Sequence, residues 1–252
     1  MKPRIDHYSR NTVGRDLVVG DVHGCFSKLD VALRRIGFND NDRLFMLGDL
    51  IDRGPESHLV LDFFKRHPNA VSIMGNHEDS LVRVIDKEQD PITHLHSYGG
   101  MWITRLGIDH DLPIEILDEF AAFFRKLPIA IELKTSRGLV AMVHACCPYR
   151  EWVSFRMDAS EGQLHKRTVL SSREFAERDE PQHVDDVLAV LVGHHSFGTG
   201  RFEVKGNVHY LDTGAWEKAG AIDREFLILN AETLRPEEGS ECEPSGSKLW
   251  SD

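Results

Sequence analysis

The sequence predicts an α/β fold with parallel strands and crossover helices. Three short apolar runs of strand type alternate with two segments of helical pattern near the start of the chain. This β-α-β-α-β order is typical of parallel sheets, because a crossover between parallel strands needs a connection about as long as a helix. The predicted strands are 16–20, 43–47 and 70–74, and the predicted helices are 26–36 and 59–64.

The rest of the chain follows other patterns. Residues 80–127 carry helical patterns with polar breaks, which predicts a helical insertion or cap. Further strand-like runs follow at 129–133, 139–143, 187–192, 208–211 and 226–229. From residue 231 the chain is rich in Glu, Ser, Pro and Gly, a composition typical of disorder. We therefore predict a single domain over 1–230 and a disordered tail over 231–252.

Composition argues against several classes of protein. The net charge of −11 disfavours general binding to the phosphate backbone of nucleic acids. No apolar run approaches the roughly 20 residues of a membrane-spanning helix, and residues 1–16 lack a signal-peptide pattern. The four cysteines form no CxxC pair, which is typical of free thiols in a reducing compartment. We expect a cytoplasmic protein that binds neither nucleic acid nor membranes.

Residues of metal-ligand type follow the ends of five predicted strands. These positions are GDVHG (20–24), GDLIDRG (48–54), GNHE (75–78), His144 and His194. A single Asp after a strand is more often a turn residue than a ligand, but five such clusters are unlikely to coincide by chance. Because the carboxyl ends of parallel strands meet at one edge of a sheet, we expect the clusters to converge on one site.

The ligand types predict a pair of metal ions. Carboxylate, imidazole and amide oxygen suit Mn²⁺, Fe²⁺ or Zn²⁺, and the sequence contains no thiolate-rich set. One carboxylate can bridge two metal ions about 3.5–4 Å apart, and such a pair polarises a phosphoryl group and activates a water for in-line attack. The sequence therefore predicts hydrolysis of phosphate esters without a covalent enzyme intermediate.

The three blocks, in this order and followed by the two histidines, resemble the calcineurin-like metallophosphoesterases. The resemblance spans about residues 16–215 and is greatest to the serine/threonine phosphoprotein phosphatase branch, in its small bacterial and phage form. It implies a layered β-sandwich flanked by helices. It also implies that two metal ions, with Mn²⁺ favoured over Fe or Zn, activate the water that hydrolyses phosphoserine and phosphothreonine in a protein or peptide substrate.

The resemblance assigns ligands to each metal ion. The ligands of the first ion would be Asp21, His23 and Asp49. The ligands of the second ion would be Asp49, Asn76, His144 and His194. Asp49 would therefore bridge the pair.

Catalytic roles follow from the same resemblance. His77 would be the general acid that protonates the leaving alkoxide, and Asp52 would orient it. Arg53 would bind the phosphate. The family has a second phosphate-binding arginine between the last two histidine ligands, where the segment 169–174 nominates Arg173 and leaves Arg150 as the rival.

Two other functions stay open at this point. Hydrolases of symmetrical dinucleoside tetraphosphates share the first and third blocks, but typically have alanine where this chain has Asp52 and GNHD where it has GNHE. A non-catalytic binding module on the same fold would be expected to lose ligands or His77, and this sequence retains them all. The sequence does not predict the oligomeric state.

Several other residues are given no catalytic role. Cys146 and Cys147 follow the His144 cluster, and we interpret them as small apolar fillers rather than redox-active thiols. His94, His96 and His110 lie in the polar middle region and are expected at the surface.

Overall fold

The computed structural model describes residues 3–217 and 224–240. The strands in these ranges are β1 (Ile5–Tyr8), β2 (Asp16–Val19), β3 (Arg43–Met46), β4 (Ala70–Ser72), β5 (Ala130–Lys134), β6 (Leu139–Val143), β7 (Ala189–Val192), β8 (Glu203–Lys205), β9 (Val208–Tyr210), β10 (Ile228–Asn230) and β11 (Arg235–Pro236). The α-helices are α1 (Phe26–Arg35), α2 (Val60–Arg66), α3 (Asn76–Ile85), α4 (Pro91–Ser97), α5 (Leu106–Asp109), α6 (Ile116–Phe124), α7 (Trp152–Glu161), α8 (Lys166–Ser171) and α9 (Glu174–Glu177). Short 3-10 helices span Ser57–Leu59 and Gly100–Arg105.

The strands form two sheets. The first has the order β11-β10-β2-β3-β4, in which β2, β3 and β4 are parallel and are connected through α1 and α2. The second has the order β1-β5-β6-β7-β9-β8, in which β6, β7 and β9 are parallel. The predicted β-α-β-α-β unit is therefore confirmed.

The two sheets pack face to face, and helices cover their outer faces. Successive strand residues point to opposite faces, so Leu17 packs beneath α1, α2, α3 and α6 while Val18 lies between the sheets. In the second sheet, Ala141 packs beneath α7 and α8 while Met142 lies between the sheets. This layered β-sandwich flanked by helices is the predicted fold class.

Helices fill the range 80–127. Asp90 begins α4 by accepting a hydrogen bond from the backbone N–H of Ile92 at 2.9 Å, with Pro91 at the first helical position. Phe120 and Phe124 of α6 anchor the segment in the apolar layer beneath the first sheet. None of the described helices is both long and apolar enough to span a membrane.

The chain after residue 230 corrects one prediction. It turns back as β11 against β10, and Ala231 and Leu234 are buried. The carboxylate of Glu237 accepts a hydrogen bond from Arg15 at 2.6 Å. The prediction of disorder is thus wrong for residues 231–240. It was based on amino-acid composition, which does not indicate a short hairpin at the edge of a sheet. The remainder, 241–252, lies outside the described residues.

Candidate active site at the strand ends

The predicted metal ligands come together where strands of both sheets end. Asp21 and His23 follow β2, and Asp49 follows β3. Asn76 begins α3 after β4, His144 follows β6 and His194 follows β7. Close backbone packing holds these loops together, since a Cβ on Gly75 would lie 2.3 Å from the backbone nitrogen of Asp49.

Asp49 occupies the centre of the cluster. Its Oδ1 lies 3.3 Å from Nε2 of His144, whereas its Oδ2 lies 3.7 Å from Nε2 of His23 and 3.6 Å from Nε2 of His77. Two groups of candidate ligands share this carboxylate: His23, Asp49 and His77, and Asp49, His144 and His194. Asp49 is therefore placed to bridge two cations. The first group contains His77 in place of the predicted Asp21.

Backbone carbonyls fix the orientation of two imidazoles. Nδ1 of His23 lies 2.9 Å from the carbonyl oxygen of Ile51, and Nδ1 of His144 lies 2.6 Å from that of Leu47. Each Nδ1 must therefore donate its proton, and Nε2 of each ring faces Asp49. Burial opposes protonation of His144, but the Asp49 carboxylate outweighs it and raises the pKa of His144 to about 10. Nε2 of His23 has no hydrogen-bond partner among the described residues.

Asn76 completes the second group. Its amide oxygen lies 2.9 Å from Nε2 of His144 and faces Nδ1 of His194 and the Asp49 carboxylate. Burial, followed by the charge of His144, lowers the pKa of His194 to about 3, so its imidazole is neutral. The amide oxygen of Asn76 therefore faces a lone pair of His194 and the Asp49 carboxylate, two acceptors that a cation or the amide hydrogens of a rotated Asn76 would satisfy.

Two further buried carboxylates, Asp21 and Asp212, lie beside the Asp49 cluster. Asp21 accepts a hydrogen bond from the backbone N–H of His194 at 2.8 Å, and its Oδ2 lies 3.7 Å from Nε2 of His23. Burial, with the charges of Asp212 and Asp49, holds the pKa of Asp21 well above its usual value. Burial likewise raises the pKa of Asp212 to about 6. Buried carboxylates that lie together with imidazole nitrogens are a donor set that fits bound divalent cations.

Sequence reasoning missed Asp212, although the signal was available. Asp212 follows Leu211 at the end of β9, which runs parallel to β7, as the other candidate ligands follow their strands. Its Oδ1 accepts hydrogen bonds from the backbone N–H of Gly214 at 2.9 Å and from Trp216 at 3.3 Å. The other five clusters were predicted because each follows the carboxyl end of a strand, and Asp212 meets the same condition.

His77 and Asp52 form a buried pair beside the cluster. Nδ1 of His77 lies 2.7 Å from Oδ2 of Asp52, and both residues are almost fully buried. Burial opposes ionisation of Asp52, but hydrogen bonds from His77 and His94 outweigh it and lower its pKa to about 2. Asp52 is therefore a carboxylate at neutral pH, and it directs Nε2 of His77 towards the cluster.

The helical insertion supports Asp52 from the other side, which corrects a second prediction. His94, expected at the surface, is buried, and its Nε2 lies 3.4 Å from Oδ1 of Asp52. Trp102 donates to the same oxygen at 2.7 Å. On its other side, Nδ1 of His94 lies 2.9 Å from the hydroxyl of Ser80, which accepts a hydrogen bond from Gln89 at 2.6 Å.

The predicted phosphate-binding arginines differ in their placement. Arg53 is exposed, its Nη2 lies 3.3 Å from Nε2 of His77, and its guanidinium stacks over Trp216 at 4.2 Å. Arg173 is exposed near His194, since its charge lowers the pKa of that residue after larger effects from burial and other groups. Arg150, with 88 % of its side chain exposed, points to Asp185 at 3.6 Å. The geometry favours Arg173 over Arg150.

The backbone is strained at the site. Positive φ angles are uncommon for non-glycine residues, and each costs about 1–3 kcal/mol. In the described ranges nine such residues occur, and five of them are predicted site residues: His23, Asp49, Asp52, Arg53 and His194. Glu78 stabilises one strained turn by accepting from the backbone N–H groups of Asp49 at 2.9 Å and Leu50 at 2.8 Å.

The paired cysteines lie beneath the site. Cys146 and Cys147 are buried, and Cys146 lies 3.3 Å from the carbonyl oxygen of Thr168. Burial raises the pKa of each thiol to about 12. Neutral, inaccessible thiols are poor nucleophiles, which agrees with a packing role.

Comparisons with known proteins agree with this geometry. The family model for calcineurin-like phosphoesterases matches residues 15–195. Serine/threonine-protein phosphatase 1 of Salmonella typhimurium is 32 % identical over 204 residues, which cover 79 % of this chain and 85 % of that protein. The symmetrical bis(5'-nucleosyl)-tetraphosphatase of Neisseria meningitidis is 46 % identical over 68 residues, which cover 26 % of this chain and 25 % of that protein.

A solved structure shows the same fold. It is described as a putative diadenosine tetraphosphatase and superposes with a TM-score of 0.65 at 19 % identity, covering 93 % of this chain and 96 % of that one. At this identity the likeness concerns the fold alone. The family match, however, spans most of the chain and contains all six metal ligands predicted from the sequence. This chain therefore belongs to the calcineurin-like phosphoesterase family.

Proposed function

We propose that this protein is a phosphoprotein phosphatase that hydrolyses phosphoserine and phosphothreonine monoesters by direct attack of water. The observation that carries the proposal is the buried pair of His77 and Asp52, whose nitrogen and oxygen lie 2.7 Å apart beside the Asp49 cluster. The Salmonella relative, named a serine/threonine-protein phosphatase and similar over most of this chain, supports the substrate class.

The first step of the proposal concerns the metal ions. We assign Asp21, His23 and Asp49 to one ion. We assign Asp49, Asn76, His144 and His194 to the other. When bound, the two ions polarise the phosphoryl oxygens and supply an activated water. We propose Mn²⁺ because the ligands are oxygen and imidazole nitrogen without thiolate, a set that also accepts Fe or Zn.

The second step concerns the leaving group. Asp52 accepts the Nδ1 proton of His77 in a hydrogen bond, so Nδ1 keeps its proton while Nε2 faces the leaving group. His77 then gives the proton on Nε2 to the leaving alkoxide as the P–O bond breaks, and the products are the alcohol and inorganic phosphate. We favour this role over metal ligation by His77, because its Nε2 also lies near Arg53, at the exposed side of the cluster.

The third step concerns the phosphate. A guanidinium presents parallel N–H groups that match two phosphate oxygens. Arg53 is held by its stack on Trp216, which leaves its charge at the mouth of the site. Arg173 lies on the His194 side. We therefore propose that the two arginines hold the phosphate from opposite sides of the metal pair.

Dinucleoside tetraphosphate hydrolysis is the second candidate, since the Neisseria relative is named for it. A seryl alkoxide is a strongly basic leaving group, so a positioned acid accelerates its departure by about 10²–10⁴-fold. A nucleoside diphosphate leaves as a stabilised anion and needs less help. An elaborately supported acid such as His77 therefore favours the phosphomonoester.

The test compares kcat/KM of the Mn²⁺-loaded enzyme for a phosphoserine peptide and for diadenosine tetraphosphate, with metal content measured on the same sample. We expect two metal ions per chain and faster peptide hydrolysis. A preference for the dinucleotide by more than about tenfold, a difference of ~1.4 kcal/mol in the barrier, would contradict the phosphoprotein assignment. His77→Asn is the control, because it should retain the metal ions and lose peptide hydrolysis.

We further propose that the enzyme works in the cytoplasm on protein substrates, without nucleic-acid or membrane partners. The net charge of −11 supports the absence of nucleic-acid binding. The adjacent buried thiols of Cys146 and Cys147 are consistent with a reducing compartment.

A further inference from the structure

A large cavity with many charged side chains in its lining adjoins the second ligand group. It has a volume of about 1020 Å³ and begins at Asn76 and Tyr98. From there it extends away from the cluster between α3, α8 and the segment 125–129, as far as residues 3–4. Sites for small ligands occupy about 300–1000 Å³, so this cavity is far larger than a phosphate group requires.

The cavity is basic although the protein is acidic. Six cationic side chains line it: Arg4, Arg83, Arg125, Lys126, Lys166 and Arg167. Three acidic ones face them: Asp79, Asp86 and Glu88. Lys166 is paired with Asp79, and Arg125 is paired with Asp86. The net charge of the lining is therefore +3 (six minus three), against −11 for the whole chain.

Half of these cations are available to a ligand. Arg83, Lys126 and Arg167 are exposed and form no ion pair with any residue that the structure describes. They lie on three different walls of the cavity, namely α3, the segment after α6, and α8. Cations that converge from three elements attract an extended anionic ligand rather than a single counter-ion.

We propose that this cavity binds acidic residues that flank the phosphorylated residue of a phosphopeptide substrate. The inference rests on the proposed phosphatase function. It adds a preference for the residues around the phosphorylated side chain, which the candidate metal ligands do not contact. Asn76 is common to the cavity and the ligand group, and Tyr98 packs edge-on against His77 at 5.0 Å. A peptide with its phosphate beside His77 therefore has a direct route into the cavity.

The lining favours a peptide over a nucleotide. Proteins commonly hold unpaired bases by stacking them on aromatic side chains. Tyr98 is the single aromatic residue among the described residues that line this cavity, and its ring already packs against His77 and His94. Glutamate and aspartate side chains need only the cations that are present.

The test reverses two of the available charges. Arg83→Glu/Arg167→Glu is compared with Arg34→Glu/Lys134→Glu, which changes the net charge equally at exposed positions outside the cavity. Arg34 is a close match for Arg83, since each lies in the last turn of a ten-residue helix. The substrates are a phosphoserine peptide flanked by glutamates, the same peptide flanked by alanines, and p-nitrophenyl phosphate.

The native enzyme and the control pair should prefer the acidic peptide, and added salt should weaken that preference. The cavity variant should lose about three- to tenfold in kcat/KM per reversed charge for the acidic peptide only. Unchanged peptide preference in a variant that keeps p-nitrophenyl phosphate hydrolysis would overturn the cavity assignment. Native enzyme that cleaves diadenosine tetraphosphate and neither peptide would instead overturn the proposed function, and the cavity proposal with it.

Discussion

Replacing Asp52 with asparagine tests the role of His77 most directly, because the two side chains have nearly the same shape. Asp52 accepts hydrogen bonds from His77 and from Trp102, each at 2.7 Å, and His94 lies 3.4 Å away. With a pKa of about 2, its carboxylate is charged at any working pH. Asparagine supplies one acceptor oxygen where the native residue supplies two.

The structure determines which hydrogen bond is lost. The indole of Trp102 can only donate, so the asparagine oxygen must face it, and the amide nitrogen then faces Nδ1 of His77. His77 is forced into the tautomer protonated on Nε2, and Nδ1 loses the acceptor that let it keep a proton while Nε2 donates one to the leaving group. We expect kcat for a phosphoserine peptide to fall by about 10²–10⁴-fold, the usual contribution of a general acid.

The assay varies the leaving group in native enzyme and in Asp52→Asn. Hydrolysis of p-nitrophenyl phosphate should fall by less than about tenfold, because nitrophenolate departs with little protonation. Metal content should stay native, since Asp52 is not a proposed ligand. Equal losses of activity for both substrates would refute the proposal that Asp52 positions His77 as the general acid. Trp102→Phe is the control, since it removes one donor to Asp52 and leaves the hydrogen bond to His77 intact.

Three further predictions concern the metal ions, the thiols and the chain after β10. Asp49→Asn should lower the content of both metal ions and abolish turnover, and full occupancy measured by elemental analysis would contradict its bridging position. Serine at Cys146 and Cys147 should leave activity within a few fold, and peroxide should inactivate native and double-variant enzyme equally; protection by the double substitution would point to reactive thiols. Glu237→Ala should lower Tm by about 2–4 °C because it removes one of the two carboxylate partners of Arg15, the other being Asp42, a loss of about 1 kcal/mol. The neighbouring Glu238→Ala serves as its control, since that side chain is exposed.

The elements that the sequence predicted best are those that burial dominates. Strands β2, β3 and β6 are almost wholly buried, so their apolar runs are continuous and their boundaries are clear. Strands β1 and β8 escaped prediction because both lie at an edge of the second sheet and contain exposed or half-buried residues throughout. An edge strand needs apolar residues on at most one face, so its hydrophobic pattern is weak.

The candidate ligands were predictable for a different reason. Each comes directly after a strand, and strand order alone brings these loops to one edge. The surroundings of Asp52 were not predictable in this way. Trp102 is 50 residues away in sequence and donates from a 3-10 helix, and no local pattern marks it as the partner of a buried carboxylate. Such contacts depend on how the inserted helices pack against the sheets, and the hydrophobic periodicity of the sequence does not predict that packing.

The packing of the insertion gives residues 80–127 two roles at the same site. Through His94 and Trp102 the segment holds the carboxylate that orients His77. Through Arg83 and Lys126 it supplies two of the three available cations in the adjoining cavity. A substitution that moves this segment should therefore alter the protonation of the leaving group and the choice of peptide together, whereas the metal ligands on the strand ends stay in place. We therefore expect the chemistry common to phosphate esters to reside at the strand ends, and the discrimination among them to reside in the inserted helices.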